Sequence, residues 1–164
     1  AESAAFDMDD WLVKLDIALF ESKARSRGSF TLFVKEMDAR YLERAIELQQ
    51  AAWQHGWDAE HGGLIYGFAP DRTPCDSDKY FWVQAESFAA AALLYQQKAE
   101  PKYLQAYEQL WSYSWKHFVD HQYGAWFRVL TRDNRKYSNE KSSAGAKCDY
   151  HTLCACFDVL AAMA

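Results

Sequence analysis

No stretch of this 164-residue chain approaches 18 consecutive apolar residues, so no membrane-spanning helix is expected. It has no stripe of lysine and arginine. With a formal charge of -5 and a pI near 5.5, nucleic acid is not an expected partner. The four cysteines, Cys75, Cys148, Cys154 and Cys156, form neither a CxxC pair nor a zinc-finger spacing. On a helix Cys154 and Cys156 would stand about 200° apart, a poor arrangement for one shared metal. No metal site is therefore expected, and the thiols read as small buried residues of a reducing compartment. Ala1 to Asp10 lacks the basic start and apolar core of a signal peptide, which points to a cytoplasmic location. There is no low-complexity segment and no Pro/Gly/Ser linker. Residues 1–164 therefore read as a single domain.

What the chain has is apolar and aromatic weight. Half of its residues are hydrophobic, 16% are aromatic and seven are tryptophan, which excludes disorder. It also repeats itself at an offset of 62 residues. Trp53-Gln-His55-Gly-Trp57-Asp58 is echoed by Trp115-Lys-His117-Phe-Val119-Asp120. At the same spacing Tyr41 meets Tyr103, Gly62 meets Gly124, Asp71 meets Asp133, and Asp78-Lys79 meets Glu140-Lys141. A period of this length marks one supersecondary unit copied, each copy burying its apolar face on its neighbours.

Apolar spacing predicts helices over Asp10 to Lys23, Ala39 to Trp57, Lys79 to Lys98, Pro101 to Val119 and Asp149 to Ala164. Pro101 suits a first helical turn. Two stretches, Leu64 to Thr73 and Trp126 to Lys136, read as short β-hairpins with Asp71 and Asp133 at the turns. Ser22 to Lys35 is the least regular part. The helices beginning near Lys79 and Cys148 are rich in small residues and suit a crowded inner layer. Those at Ala39 and Pro101 carry Glu, Gln, Lys and Tyr beside their apolar stripe and suit an outer one. The predicted fold is all-α: a partial (α/α)6-toroid-like array of helical hairpins with two short β-hairpins.

Three extra residues in the second copy, within Ser142 to Lys147, bring Glu86 opposite His151 in the alignment. Both fall in first turns of inner helices, where side chains of a ring point into the central cavity. A carboxylate and an imidazole at one mouth form a plausible acid–base pair. Trp82 and Gln84 precede Glu86, and Trp126 and Arg128 occupy the second hairpin. An aromatic platform beside polar groups is how proteins hold sugar rings.

Lys79-Tyr-Phe-Trp82-Val-Gln84-Ala-Glu86 resembles a segment of the N-acylglucosamine 2-epimerase family of sugar epimerases and aldose–ketose isomerases. The segment Lys147-Cys-Asp-Tyr-His151-Thr-Leu-Cys-Ala-Cys is similar to that family's closing segment around a catalytic histidine. His55 to Gly63 and Phe118 to Phe127 also match. The resemblance implies part of a six-hairpin (α/α) barrel that needs no cofactor or metal in its isomerase branch. It implies that His151 is a catalytic histidine, that Glu86 orients the sugar or assists proton transfer, and that Trp82, Gln84 and Trp126 line the sugar site. The chain departs from the family pattern in two ways. It is less than half the usual length, with about two and a half hairpins equivalent to the C-terminal part of the barrel. Asp7 stands where a second catalytic histidine belongs, which predicts slow or absent turnover. Two readings follow. One is a sugar isomerase or epimerase working by proton transfer at C2. The other is a non-catalytic carbohydrate-binding or assembly module. In both, the open ends of a partial ring predict a homodimer or higher oligomer.

Overall fold

The computed structural model describes residues 35–142 and 149–164. The chain divides into two compact units, Ala1–Ala45 and Ile46–Ala164. Of the first, the description covers only residues 35–45, all helical. The expected helix at Asp10 to Lys23, the Ser22 to Lys35 stretch as far as residue 34, and Asp7 lie outside the described residues, as does most of the Ser142 to Lys147 insertion.

Four α-helices are described: α1 (Lys35–Ala51), α2 (Phe81–Lys98), α3 (Pro101–His117) and α4 (Tyr150–Met163). Two antiparallel ribbons join β1 (Gly67–Phe68) to β2 (Pro74–Asp76), and β3 (Lys79–Tyr80) to β4 (Val129–Leu130). The fold is all-α with short β-hairpins, as the sequence pattern predicts. Helix α2 packs against both α3 and α4. Ala85, Ala89, Ala91 and Ala92 line it with almost no exposure, so small side chains let its neighbours close in. Phe88, Leu110, Phe118 and Leu130 form the enclosed centre, with Trp126 laid against Phe88 and Phe118.

Several helix boundaries differ from the apolar spacing: α1 starts at Lys35 rather than Ala39, and α3 ends at His117 rather than Val119. The first outer helix leaves α geometry at Ala52 and ends in a π-helical turn, Ala52–Gly56. There Trp53 and Trp57 stack, with ring centres 4.7 Å apart and planes at 21°. Helix α2 begins at Phe81 rather than Lys79, because Lys79 and Tyr80 are extended and pair with Leu130 and Val129. At its other end Ala99 turns left-handed, at φ 52°, and donates to Tyr95 O at 2.7 Å. Only Ala99 and Glu100 separate α2 from Pro101, which opens α3 and makes a tight helical hairpin. The cysteines depart from the buried reading. Cys75 and Cys154 are exposed, one on a two-stranded ribbon and the other on the outward side of α4, while Cys156 is half-buried.

The 62-residue repeat is a repeat of hydrogen bonds. Asp58 N donates to Gly63 O and Asp120 N to Ala125 O, both at 2.9 Å. Gly62 N donates to Asp58 O and Gly124 N to Asp120 O, both at 2.8 Å. Tyr66 N reaches Asp78 O at 2.8 Å, and Arg128 N reaches Glu140 O at 3.0 Å. Single β-bridges join Trp57 to Leu64 and Val119 to Trp126. The hairpin turns also match, with Arg72 and Asn134 both at positive φ.

One pair of positions differs in strain. Gly63 has φ +78°, and a Cβ there would lie 2.4 Å from the Tyr113 ring. Its counterpart Ala125 has φ 61° and carries its Cβ. Gly63→Ala is expected to destabilise the fold by about 2 kcal/mol, through a left-handed alanine and a forced shift of Tyr113. Ala125→Gly should be neutral or slightly stabilising. Urea unfolding of the two variants measures the contrast.

Candidate functional site

The start of α2 is held by a buried ion pair. Lys79 has no exposed surface, and its ammonium lies 3.3 Å from Asp58 Oδ2. It also donates to Arg132 O at 2.7 Å and to Asn134 Oδ1 at 3.1 Å. Asp58 Oδ1 accepts the backbone N–H of Glu60 at 3.0 Å and of His61 at 3.2 Å, and Oδ2 accepts Arg132 Nε at 3.1 Å. Burial pushes the Asp58 carboxyl up, but Arg132, these two N–H groups and Lys79 together bring it below its ordinary range. Burial lowers Lys79, and Asp58 only partly restores it. The second copy repeats the clamp: Asp120 Oδ1 accepts Gln122 N and Tyr123 N, and Oδ2 meets Lys141 Nζ. The acid-plus-lysine signature of the repeat is therefore a lysine fastening the end of each β-loop to the aspartate that begins it.

Seven residues beyond Lys79, Glu86 projects from the second turn of α2 toward His151 in the first turn of α4. Glu86 Oε1 lies 2.6 Å from His151 Nδ1. Two helices from successive copies thus bring the two groups into contact. The imidazole sits among aromatic rings: Tyr150 at 3.9 Å, Trp82 at 5.7 Å and Phe81 at 6.1 Å between ring centres. It is one-quarter exposed and the carboxylate about half. With Nδ1–H donating to the carboxylate, Nε2 carries the lone pair and is the nitrogen able to take a proton. Among the described residues, no group of three or more His, Cys, Asp and Glu could hold a metal.

The other expected site residues divide. Trp82 is half-buried and tilted 31° to the His151 ring. Gln84, expected to line the sugar site, is instead fully enclosed: its Oε1 accepts Leu64 N and its Nε2 donates to Leu64 O, each at 2.8 Å. Its amide is spent on the loop, which ties the first hairpin to α2. Trp126, also expected there, is 8% exposed and belongs to the core. The repeat explains this, because Trp126 stands 62 residues after Leu64, itself a core residue. Arg128 is exposed, its guanidinium 3.7 Å from Glu140, while its carbonyl accepts Phe81 N at 3.2 Å. Tyr66 is a residue that pattern reading passed over. It packs on Tyr80 at 4.6 Å and meets Trp82 edge-on at 6.0 Å. The offset would have found it, since Tyr66 is the first copy's counterpart of Arg128.

Comparison with known proteins identifies a family and a fold. A model of the family described as N-acylglucosamine 2-epimerase (GlcNAc 2-epimerase) matches residues 29–155. A D-mannose isomerase of Marinomonas mediterranea is 54% identical over 120 residues, covering 73% of this chain and 30% of that protein. A crystal structure of D-mannose isomerase superposes with a TM-score of 0.71 at 49% identity, over 77% of this chain and 33% of the other. A cellobiose 2-epimerase from Spirochaeta thermophila superposes at 0.65 with 19% identity, a likeness of fold alone, over 89% of this chain and 36% of that one. These structural neighbours are (α/α)6 barrels. The chain spans about a third of the length of the relatives it matches.

Proposed function

The chain belongs to the N-acylglucosamine 2-epimerase family, and from that premise we propose that it carries one wall of a sugar isomerase or epimerase site, with Glu86 and His151 as its acid–base pair. The observation that supports this reading is the 2.6 Å contact between Glu86, in the second turn of α2 because that helix starts at Phe81, and His151, in the first turn of α4. In the proposed reaction His151 Nε2 takes the proton from C2 of an open-chain aldose. The C2–H electrons form the C1–C2 double bond, and the carbonyl electrons move to O1 to give an enediolate. The imidazolium is stabilised by the Glu86 carboxylate at Nδ1. Return of the proton to C1, with the O2 hydroxyl proton passing to O1 as C2=O forms, gives the ketose. Return to the opposite face of C2 gives the epimer. Trp82, held by Tyr66, offers the sugar an apolar face, and Arg128 stands at the margin. Gln84 acts as a positioning residue by tying the Leu64 loop to α2. The chemistry requires no cofactor. Incubation with mannose, fructose and N-acetylmannosamine in D₂O, read by NMR at C2, tests the reading.

A second reading, an assembly module, is favoured by α4. Tyr150, Leu153, Phe157 and Leu160 follow heptad spacing on one side of that helix, and each is more than half exposed. The proposed occupant of this stripe is the α4 of a second copy, whose identical seam is complementary by symmetry. Light scattering at micromolar concentration should return twice the 19.0 kDa chain mass or more. Phe157→Glu should return the single-chain mass. A single-chain mass for the unaltered protein would defeat the idea. Among the described residues no helix is long and apolar enough to cross a membrane.

A further inference from the structure

A cavity lies between the end of the first outer helix and the start of the next. Gln49, Gln50, Trp53 and Gln54 form one side of it. Lys102, Tyr103, Gln105, Ala106 and Gln109 of α3 form the other, around a volume of about 400 Å³. A cavity of that size lies within the range of small-ligand sites. We infer that this groove binds a neutral saccharide or polyol of one to two rings, at a site separate from Glu86 and His151.

The chemistry of the lining selects the ligand. Five glutamines converge on the groove, and among the described residues none of their amides has a hydrogen-bond partner. Each carboxamide offers both donors and acceptors, which matches a hydroxyl that is donor and acceptor at once. Trp53 supplies the apolar ring, and its stacking on Trp57 fixes its orientation. Among the described residues the lining contains no carboxylate, and its one charge, Lys102, is already held by Glu100 at 2.7 Å. The groove therefore selects for neither a cation nor an anion.

Tyr103 gives the independent sign of a missing partner. It is 3% exposed, and its buried hydroxyl has no hydrogen-bond partner among the described residues. Buried hydroxyls are seldom left unmet. The Lys102 ammonium lies 4.7 Å from the Tyr103 ring centre. The π-helical turn that carries Trp53 and Gln54 is itself a form concentrated at functional positions. Nor are the amides an inheritance of the repeat. The tryptophan recurs in the second copy as Trp115, but the counterparts of Gln49, Gln50 and Gln54 are Trp111, Ser112 and Lys116.

The test is NMR of the ¹⁵N-labelled full chain titrated with cellobiose, D-mannose and, as a control, glycerol. Cellobiose is expected to shift the Trp53 indole N–H and the Gln105 and Gln109 side-chain amides, with no matching effect from equal glycerol. His151→Ala should leave these shifts intact. The double variant Gln105→Leu with Gln109→Leu lies on an exposed helical face and should weaken them at least tenfold. The inference is overturned if shifts are confined to Trp82 and His151, if neither sugar shifts the groove, if glycerol reproduces the shifts, or if the double variant binds unchanged. Failure of C2 exchange alone would bear on the Glu86–His151 reading and leave this one standing.

Discussion

Replacing His151 with alanine is expected to lower deuterium incorporation at C2 of the responding sugar by 10² to 10⁴, the usual contribution of a positioned general base. The variant removes the only imidazole in contact with Glu86 among the described residues and leaves that carboxylate half-exposed to water. Because His151 is one-quarter exposed, the fold should survive its loss, and unchanged urea unfolding would confirm that. Glu86→Gln separates the roles. It keeps a hydrogen-bond acceptor for Nδ1–H but removes the charge that stabilises the imidazolium. A smaller fall, of roughly 10- to 100-fold, is expected, read in kcat more than in KM. Exchange that persists in His151→Ala would eliminate His151 as the base. Absence of exchange in the unaltered chain, with sugar still perturbing Trp82, would favour the binding-module reading and fit the aspartate at position 7.

Lys79→Met is expected to destabilise the fold by about 3 kcal/mol, because it leaves the 2%-exposed Asp58 carboxylate without its buried cation. The variant also strips Arg132 O and Asn134 Oδ1 of their shared donor. Burial already holds the Lys79 ammonium below its ordinary pKa, so the pair is a costly way to fill this space. Adding Asp58→Asn to Lys79→Met should recover part of the loss, since the amide oxygen still accepts the loop N–H groups without a charge to bury. Urea unfolding of the two single variants and the double completes the cycle. The same clamps set an acid limit. Asp58 is held below its ordinary pKa, and Asp120, bonded to Lys141 and the N–H groups of Gln122 and Tyr123, falls to about 2. Stability from such carboxylates is complete above about pH 4 and is lost as pH falls toward about 2. Unfolding scans should show that loss, and in Lys79→Met the part contributed by Asp58 should be smaller.

The repeat was legible because its landmarks are residues whose chemistry is local. Glycine at a left-handed turn, aspartate accepting loop N–H groups and proline at a first turn each leave a mark on the string. The pairing of Glu86 with His151 was legible through the same alignment. The pairing of Lys79–Tyr80 with Val129–Leu130 was not, because it joins two copies across about 50 residues and has no local signature. The enclosure of Gln84 was hidden for a related reason. A glutamine that satisfies a distant backbone reads the same as one that waits for a ligand. The heptad stripe of α4 could be read as apolar, but only the fold shows that it stands in solvent.

The clamp around Asp58 is shared property. Lys79 comes from the first copy, whereas Arg132 and Asn134 come from the second, and Asn134 Nδ2 also donates to His61 O at 2.8 Å. Tyr113 of α3 closes the set through Asn134 Oδ1 at 2.7 Å. A single unit therefore holds only part of this clamp. A fragment ending after α2 would carry Lys79 and Asp58 without the turn that seals them from water. Each copy completes a buried charge site that the other begins.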